Sequence, residues 1–284
     1  MTGFVRDRWL SWLVVAVTVI SVACAPSLVT PTASREQAES PVVASTTPGG
    51  VPVTGEPLVL LAASDLQYAL PEIASRYEAE TGRKVTISLG STGNIAAQIE
   101  NGAPADIFFA ADGSFLDRLG KKDLLDEKTR QVYATGRIVV TYAKGTAVEV
   151  KTIEDLASPE VKKVAIANPE HAPYGRAAQQ ALEAKGLWSL IKPKIVLGEN
   201  VSQTFQFIHT GNADAGIIAL SIAQGQPNTP YTLIDDGLHA PLVQEVAVLR
   251  VSRQPDAAKE FLAFVNGSRG RPVMKQFGFV LPGE

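Results

Sequence analysis

The sequence is poor in cysteine, histidine and positive charge, and each shortage removes a class of function. Cys24 is the one cysteine among 284 residues, so no intramolecular disulfide forms and the body of the chain offers no thiol nucleophile. The histidines, His171, His209 and His239, lack the spacing of zinc ligands. Lysine and arginine total 26 against 29 aspartates and glutamates, a net charge of −3, without the basic excess of a nucleic-acid binder. Also missing are Gly-x-Ser-x-Gly, Gly-x-x-x-x-Gly-Lys and His-Glu-x-x-His. No histidine is an obvious partner for Ser64, and the chain reads as a non-enzyme.

What is present is globular in character: 45% apolar and 19% charged, long enough for one large domain or two ordinary ones. At the N-terminus Arg6 and Arg8 precede an apolar run over 9–23, and Cys24 ends it. The run is short for a membrane span and suits a signal-peptide core. The pattern resembles a bacterial lipoprotein signal, residues 1–24, with cleavage before Cys24 leaving that residue N-terminal and acylated. Ala23 fits this pattern, whereas Ser21 stands where such signals usually carry Leu; an uncleaved membrane anchor is the alternative. Residues 25–56, rich in Pro, Ser, Thr, Ala and Gly, read as a disordered tether, with a propeptide or plain linker as the alternative. A tether of about 30 residues averages roughly 30 Å end to end.

Within 58–98 one arrangement occurs twice. Leu58-Val59-Leu60-Leu61-Ala62-Ala63 is an apolar run, and Ser64-Asp65 then opens a helical pattern. Val85-Thr86-Ile87-Ser88-Leu89 is strand-like, and Gly90-Ser91-Thr92-Gly93-Asn94 opens another. A helix start carries unpaired backbone N–H groups and a partial positive charge, so it attracts anions. With no Lys or Arg among them, the two starts suggest a small-anion site built from neutral donors.

The first helix is expected over 66–81, with Leu66, Leu70, Ile73 and Tyr77 on one face and Gly82 as its stop. Further strands are expected at 105–111, 137–142, 163–167, 194–197, 214–220 and 243–251. Helices are expected at 94–101, 112–119, 174–185, from 199 through Phe205 and Ile208, and at 257–266 and 272–277. This alternation gives an α/β class with largely parallel sheets. It divides the body into a first lobe (57–136), a second lobe (137–242) and a return to the first (243–284). In such sheets ligands gather beyond the carboxyl ends of the strands, where the helix starts at Ser64, Thr92, Tyr174 and Val201 all fall.

Several segments resemble the periplasmic molybdate-binding proteins of ABC importers. They are Ala62-Ala63-Ser64, Gly90-Ser91-Thr92-Gly93-Asn94, the run from Gln98 through Gly102-Ala103-Pro104-Ala105-Asp106, and Asn168-Pro169-Glu170-His171-Ala172-Pro173-Tyr174-Gly175-Arg176. Gly198-Glu199-Asn200-Val201, Ala213-Asp214-Ala215-Gly216-Ile217-Ile218 and Phe277-Gly278-Phe279 continue it, so the resemblance covers residues 57–280. It implies a two-lobed periplasmic-binding-protein type II fold that closes over one tetrahedral oxyanion, molybdate or tungstate, with no cofactor. It also implies a monomer, exported to the periplasm or the outer face of the membrane, that serves an ABC permease and its ATPase.

By position, the resemblance assigns hydroxyl contacts to Ser64 and Thr92, with Ser91 beside the latter, and backbone N–H contacts to Tyr174 and Val201. One branch of the family adds a tyrosine phenol where this chain has Ala219; the Tyr174 phenol and Ser221 are the candidate substitutes. Molybdate and tungstate are dianions at neutral pH that accept hydrogen bonds and offer none, so a site of donors alone suits them. Sulfate, phosphate, phosphonate or a carboxylate on the same fold is the competing reading. A carboxylate would call for an arginine clamp, with Arg176 and Arg137 as candidates. Ser64 and Thr92 also read as plain N-caps, Asp65 and Asp112 as helix-start acids, Asp106 and Asp214 as turn residues, and His171 as part of the cleft loop.

Overall fold

A computed structural model describes residues 55–145 and 148–284. The expected signal peptide, Cys24 and nearly all of the tether lie outside the described residues.

In chain order the elements are β1 (Leu58–Ala63), α1 (Ala69–Thr81), β2 (Val85–Gly90), α2 (Thr92–Glu100), β3 (Ile107–Ala110), α3 (Ser114–Gly120), β4 (Gln131–Gly136) and β5 (Ile138–Tyr142). There follow β6 (Val164–Ala167), α4 (Pro173–Ala184), α5 (Trp188–Ile191), β7 (Ile195–Gly198), α6 (Val201–His209), β8 (Ala215–Ala219) and α7 (Leu220–Gly225). The chain closes with β9 (Tyr231–Leu233), β10 (Leu242–Val248), α8 (Pro255–Asn266) and α9 (Arg271–Gln276).

The strands form two five-stranded sheets, β2-β1-β3-β10-β4 and β7-β6-β8-β5-β9, one in each lobe. β1 runs parallel to β2 and β3, and β6 parallel to β7 and β8. The remaining pairings, β10 with β3 and β4 and β5 with β8 and β9, are antiparallel. The sheets are therefore mixed rather than largely parallel. The antiparallel pairings involve the strands where the chain passes between lobes: β4 leads straight into β5, and β10 comes back after β9.

β1 is buried on both sides, which is why it reads as a continuous apolar run. Its alternation sends Leu58, Leu60 and Ala62 toward Leu70, Ile73, Tyr77 and Phe261, and Leu61 toward Ile95, Ile99 and Leu116. Tyr77 meets Phe261 and Phe264 edge-on, with ring centroids 5.0 and 5.3 Å apart, a geometry that adds about 0.5–1.5 kcal/mol per pair beyond burial. The second lobe has one core joining Ile138, Ile166, Ile217, Leu182 and Phe205.

Two departures from expectation bear on the site. After β1 the chain makes a short 3₁₀ turn, Ser64–Leu66, and α1 begins only at Ala69. Pro71 accounts for the delay: it has no N–H to give to the carbonyl of residue 67, so it is tolerated only in a first helical turn. At the far end Gly82 adopts φ 73°, and its N–H bonds the Glu78 carbonyl at 2.8 Å, a left-handed cap. The other departure is β4, whose exposed Gln131 and Val132 hide a strand that buries Tyr133 and Ala134.

Candidate functional site

The end of β1 and the starts of α2, α4 and α6 converge on one small cavity between the lobes, of about 10 Å³. Ser64, Asp65, Ser91, Thr92 and Ala111 line it from the first lobe, and Ala172, Pro173, Tyr174, Asn200 and Val201 from the second. No Lys or Arg is among the lining residues.

The first wall is a set of buried side chains. Ser64 opens the 3₁₀ turn, and Ser91 and Thr92 sit at the N-terminus of α2. Neither Ala63 nor Ser91, the residues preceding these turns, makes a side-chain cap, so the plain N-cap reading does not describe the local geometry. Thr92 Oγ1 accepts from the Ala111 N–H at 3.2 Å, which leaves its own proton to be donated elsewhere. Ser91 Oγ lies 2.9 Å from His171 Nδ1.

The second wall is mostly backbone. Pro173 occupies the first position of α4, and the N–H of Tyr174 falls in a first turn, where helices leave donors without intrahelical partners. At α6 the Asn200 side chain caps the Gln203 N–H at 3.0 Å, and Val201 opens the helix.

Direct contacts join the lobes around the cavity. The Gly93 N–H donates to the His171 carbonyl at 2.9 Å, and Ser202 Oγ donates to the Ser64 carbonyl at 2.8 Å. A Cβ on Gly93 would lie 2.7 Å from that His171 oxygen, so the approach requires glycine.

The Tyr174 phenol is engaged in a buried hydrogen-bond network. It donates to Asp65 Oδ2 at 2.9 Å. Gln244 Nε2 donates to the same Oδ2 at 2.6 Å and to the phenol oxygen at 2.9 Å, while Tyr133 donates to Gln244 Oε1 at 2.6 Å. Asp65 is 1% exposed. Burial pushes its carboxyl up from 3.8 to about 6, against the lowering effect of the Gln244 and Tyr174 hydrogen bonds. Burial, reinforced by the Asp65 charge, also holds the Tyr174 phenol well above its ordinary value.

Asp65 is thus the centre of an interlobe network and not merely a helix-start acid. The network also takes the Tyr174 phenol away from the anion role considered for it. Ser221 is likewise engaged, donating to the Asp65 carbonyl at 2.7 Å, and it does not line the cavity; nor does Ala219.

The other candidates fall elsewhere. Arg176 pairs with Asp112 at 3.1 Å and lies over the Phe115 ring, and Arg137 pairs with Asp236 at 3.3 Å; neither lines the cavity. Asp112 accepts from the Ser114 N–H at 2.8 Å at the start of α3. Asp106 accepts from the Val59 N–H at 2.9 Å and the Ser252 hydroxyl at 2.6 Å, and Asp214 accepts from the N–H groups of Lys162 and Lys163 at 2.7 and 2.8 Å. Among the described residues no cluster of His, Cys, Asp and Glu could hold a metal ion, and no helix is long and apolar enough to cross a membrane.

The family described as bacterial extracellular solute-binding protein matches residues 58–280. The chain belongs to this family. This solute-binding protein is 34% identical over 224 residues to the molybdate-binding protein ModA of Azotobacter vinelandii, covering 77% of this chain and 88% of the relative. It is 30% identical over 226 residues to ModA of Rhodobacter capsulatus, covering 80% and 88%. The solved structure of the Azotobacter vinelandii periplasmic molybdate-binding protein superposes with a TM-score of 0.75 at 29% identity, covering 79% of this chain and 99% of that one.

Gln244 and Tyr133 escaped the sequence reading, although one signal for Gln244 was available. In β10 the positions Leu242, Gln244, Val246 and Val248 share the inward face, and a polar residue in that series implies a buried partner.

Proposed function

We propose that this solute-binding protein captures molybdate or tungstate outside the cytoplasm and delivers it to an ABC permease and its ATPase. The observation that carries the reading is the interlobe cavity. Ser64, Ser91 and Thr92 supply hydroxyls from one lobe, the first-turn N–H groups at Tyr174 and Val201 supply donors from the other, and no fixed cation intrudes. Donors aimed from both sides suit an anion that only accepts. The relatives named as molybdate-binding proteins support the same ligand.

Each hydrogen bond to a charged oxygen contributes about 1.5–3 kcal/mol, and closure keeps water from competing. The ligand is bound through its oxygens, so the protein residues are donors to an oxyanion and not metal ligands. Release follows when the docked permease draws the lobes apart. Export, with acylation of Cys24 holding a monomeric protein at the membrane surface, completes the proposal; it is supported by the order of Arg6, Arg8, the apolar run and Cys24.

The test is a melting experiment on the purified protein with molybdate, tungstate, sulfate and phosphate in parallel. At a hundredfold excess over Kd a specific ligand stabilises by about 2.7 kcal/mol, a rise of roughly 5–10 °C for a body of this size. Molybdate and tungstate are expected to give that rise and the other two little. No rise with any of the four would overturn the proposal.

A further inference from the structure

The cavity proposed for a dianion has a carboxylate in its wall. Asp65 lines it, is almost fully buried, and has one oxygen satisfied twice, by the Tyr174 phenol and the Gln244 amide. The other oxygen, Oδ1, is buried without a hydrogen-bond partner among the described residues.

Among the described residues no cation compensates it. β1, β2 and α7 carry no titratable side chain. α6 carries only His209, whose ring lies against Phe205. In α1, Arg76 pairs with Glu72, Glu78 with Lys84 and Glu80 with Arg269. In β10, Glu245 pairs with Arg130; in α4, Arg176 pairs with Asp112, and Glu183 accepts from Gln179. The aromatic hydroxyls of Tyr133 and Tyr174 remain, both protonated. His171 bonds the Ser91 hydroxyl and does not itself line the cavity.

A dianion beside an ionised, unpartnered carboxylate in a dry cavity is strongly repelled. A neutral acid in the same place removes the repulsion and presents an O–H. We propose that Asp65 enters the complex as a carboxylic acid whose Oδ1–H donates to the bound oxyanion, so that each capture takes up one proton from solvent. The proposal rests on the oxyanion reading of the cavity. It makes Asp65 a discriminating residue: the site favours anions that offer an acceptor to this proton, and affinity falls as pH rises through the neutral range. The free carboxyl, shifted by burial to about 6, is mostly ionised at pH 7.5, so nearly the whole proton is drawn in on binding.

The test is calorimetric titration of the full chain with molybdate at pH 7.5, in several buffers of different ionisation enthalpy. The slope of observed heat against ionisation enthalpy reads the protons taken up. About one is expected for the unaltered protein, about zero for Asp65→Asn, and about one for His171→Gln. Affinity of the unaltered protein should also weaken about tenfold per pH unit above 7. Binding of molybdate with no buffer dependence would overturn the inference while leaving the oxyanion reading intact, as would loss of the slope in His171→Gln instead. Absence of molybdate binding in every buffer would overturn both. The slope of the unaltered protein decides the matter even where Asp65→Asn does not fold.

Discussion

The two lobes share a strand plan but meet the cavity with different chemistry. In both sheets the second strand in order, β1 or β6, is flanked by parallel neighbours, with antiparallel strands beyond. The first lobe then presents side-chain hydroxyls at Ser64, Ser91 and Thr92, whereas the second presents the backbone at the starts of α4 and α6. Substitution can erase the first wall's donors one at a time. The second wall's donors survive almost any change of side chain, because the helix supplies them.

This asymmetry is open to direct attack. The largest loss is expected from Ser64→Ala with Thr92→Val. Two hydrogen bonds to a charged oxygen, at about 1.5–3 kcal/mol each, predict roughly a hundredfold or greater fall in molybdate affinity by calorimetry. Next comes the single charged group of the first wall. The Asp65 carboxyl is held near 6 rather than 3.8, so the folded state holds its proton where the unfolded state has already lost it. Stability should therefore fall as pH rises from about 4 to about 6 and stay lowered above that. At 1.36 kcal/mol per pH unit the loss is about 3 kcal/mol at most. Denaturant melts of the unaltered protein and Asp65→Asn at pH 4.5 and 7.5 measure it, and the variant should show the weaker pH dependence.

The sharpest contrast lies at Val201. Proline is tolerated at a first helical position and lacks only the N–H. Val201→Pro should then weaken binding by roughly tenfold or more, whereas Val201→Ala, which keeps the N–H, should change it by less than about threefold. Equal losses in the two variants would assign the contact to the side chain and erase the distinction between the walls. Smallest of all is Arg176→Ala. Its guanidinium is paired with Asp112 outside the cavity, so molybdate affinity should move by less than about twofold; a large fall would revive the arginine-clamp reading.

The elements legible in the sequence were those with a local cause. β1 and β3 are buried on both faces and leave continuous apolar runs, and α1 leaves a helical period and a glycine stop. The residues that line the cavity, Ser64, Ser91, Thr92, Tyr174 and Val201, were reached through family resemblance and helix-start chemistry together. What stayed hidden has causes distant in sequence. β4 is recognisable only once β10 lies beside it. The partners Asp65, Tyr174, Gln244 and Tyr133 are separated by up to 179 positions, and no periodicity reports a buried polar network. The Tyr174 phenol looked free because its acceptor, Asp65, looked like an ordinary helix-start acid.

The measurement that bears most directly on the two-walled site is a crystal structure of the protein grown with tungstate, located by tungsten's anomalous scattering. One peak is predicted, between the lobes, with tungstate oxygens within hydrogen-bond distance of the Ser64 and Thr92 hydroxyls and of the Tyr174 and Val201 N–H groups. A peak bound by one lobe alone, or held at Arg176 or Arg137, would contradict the account.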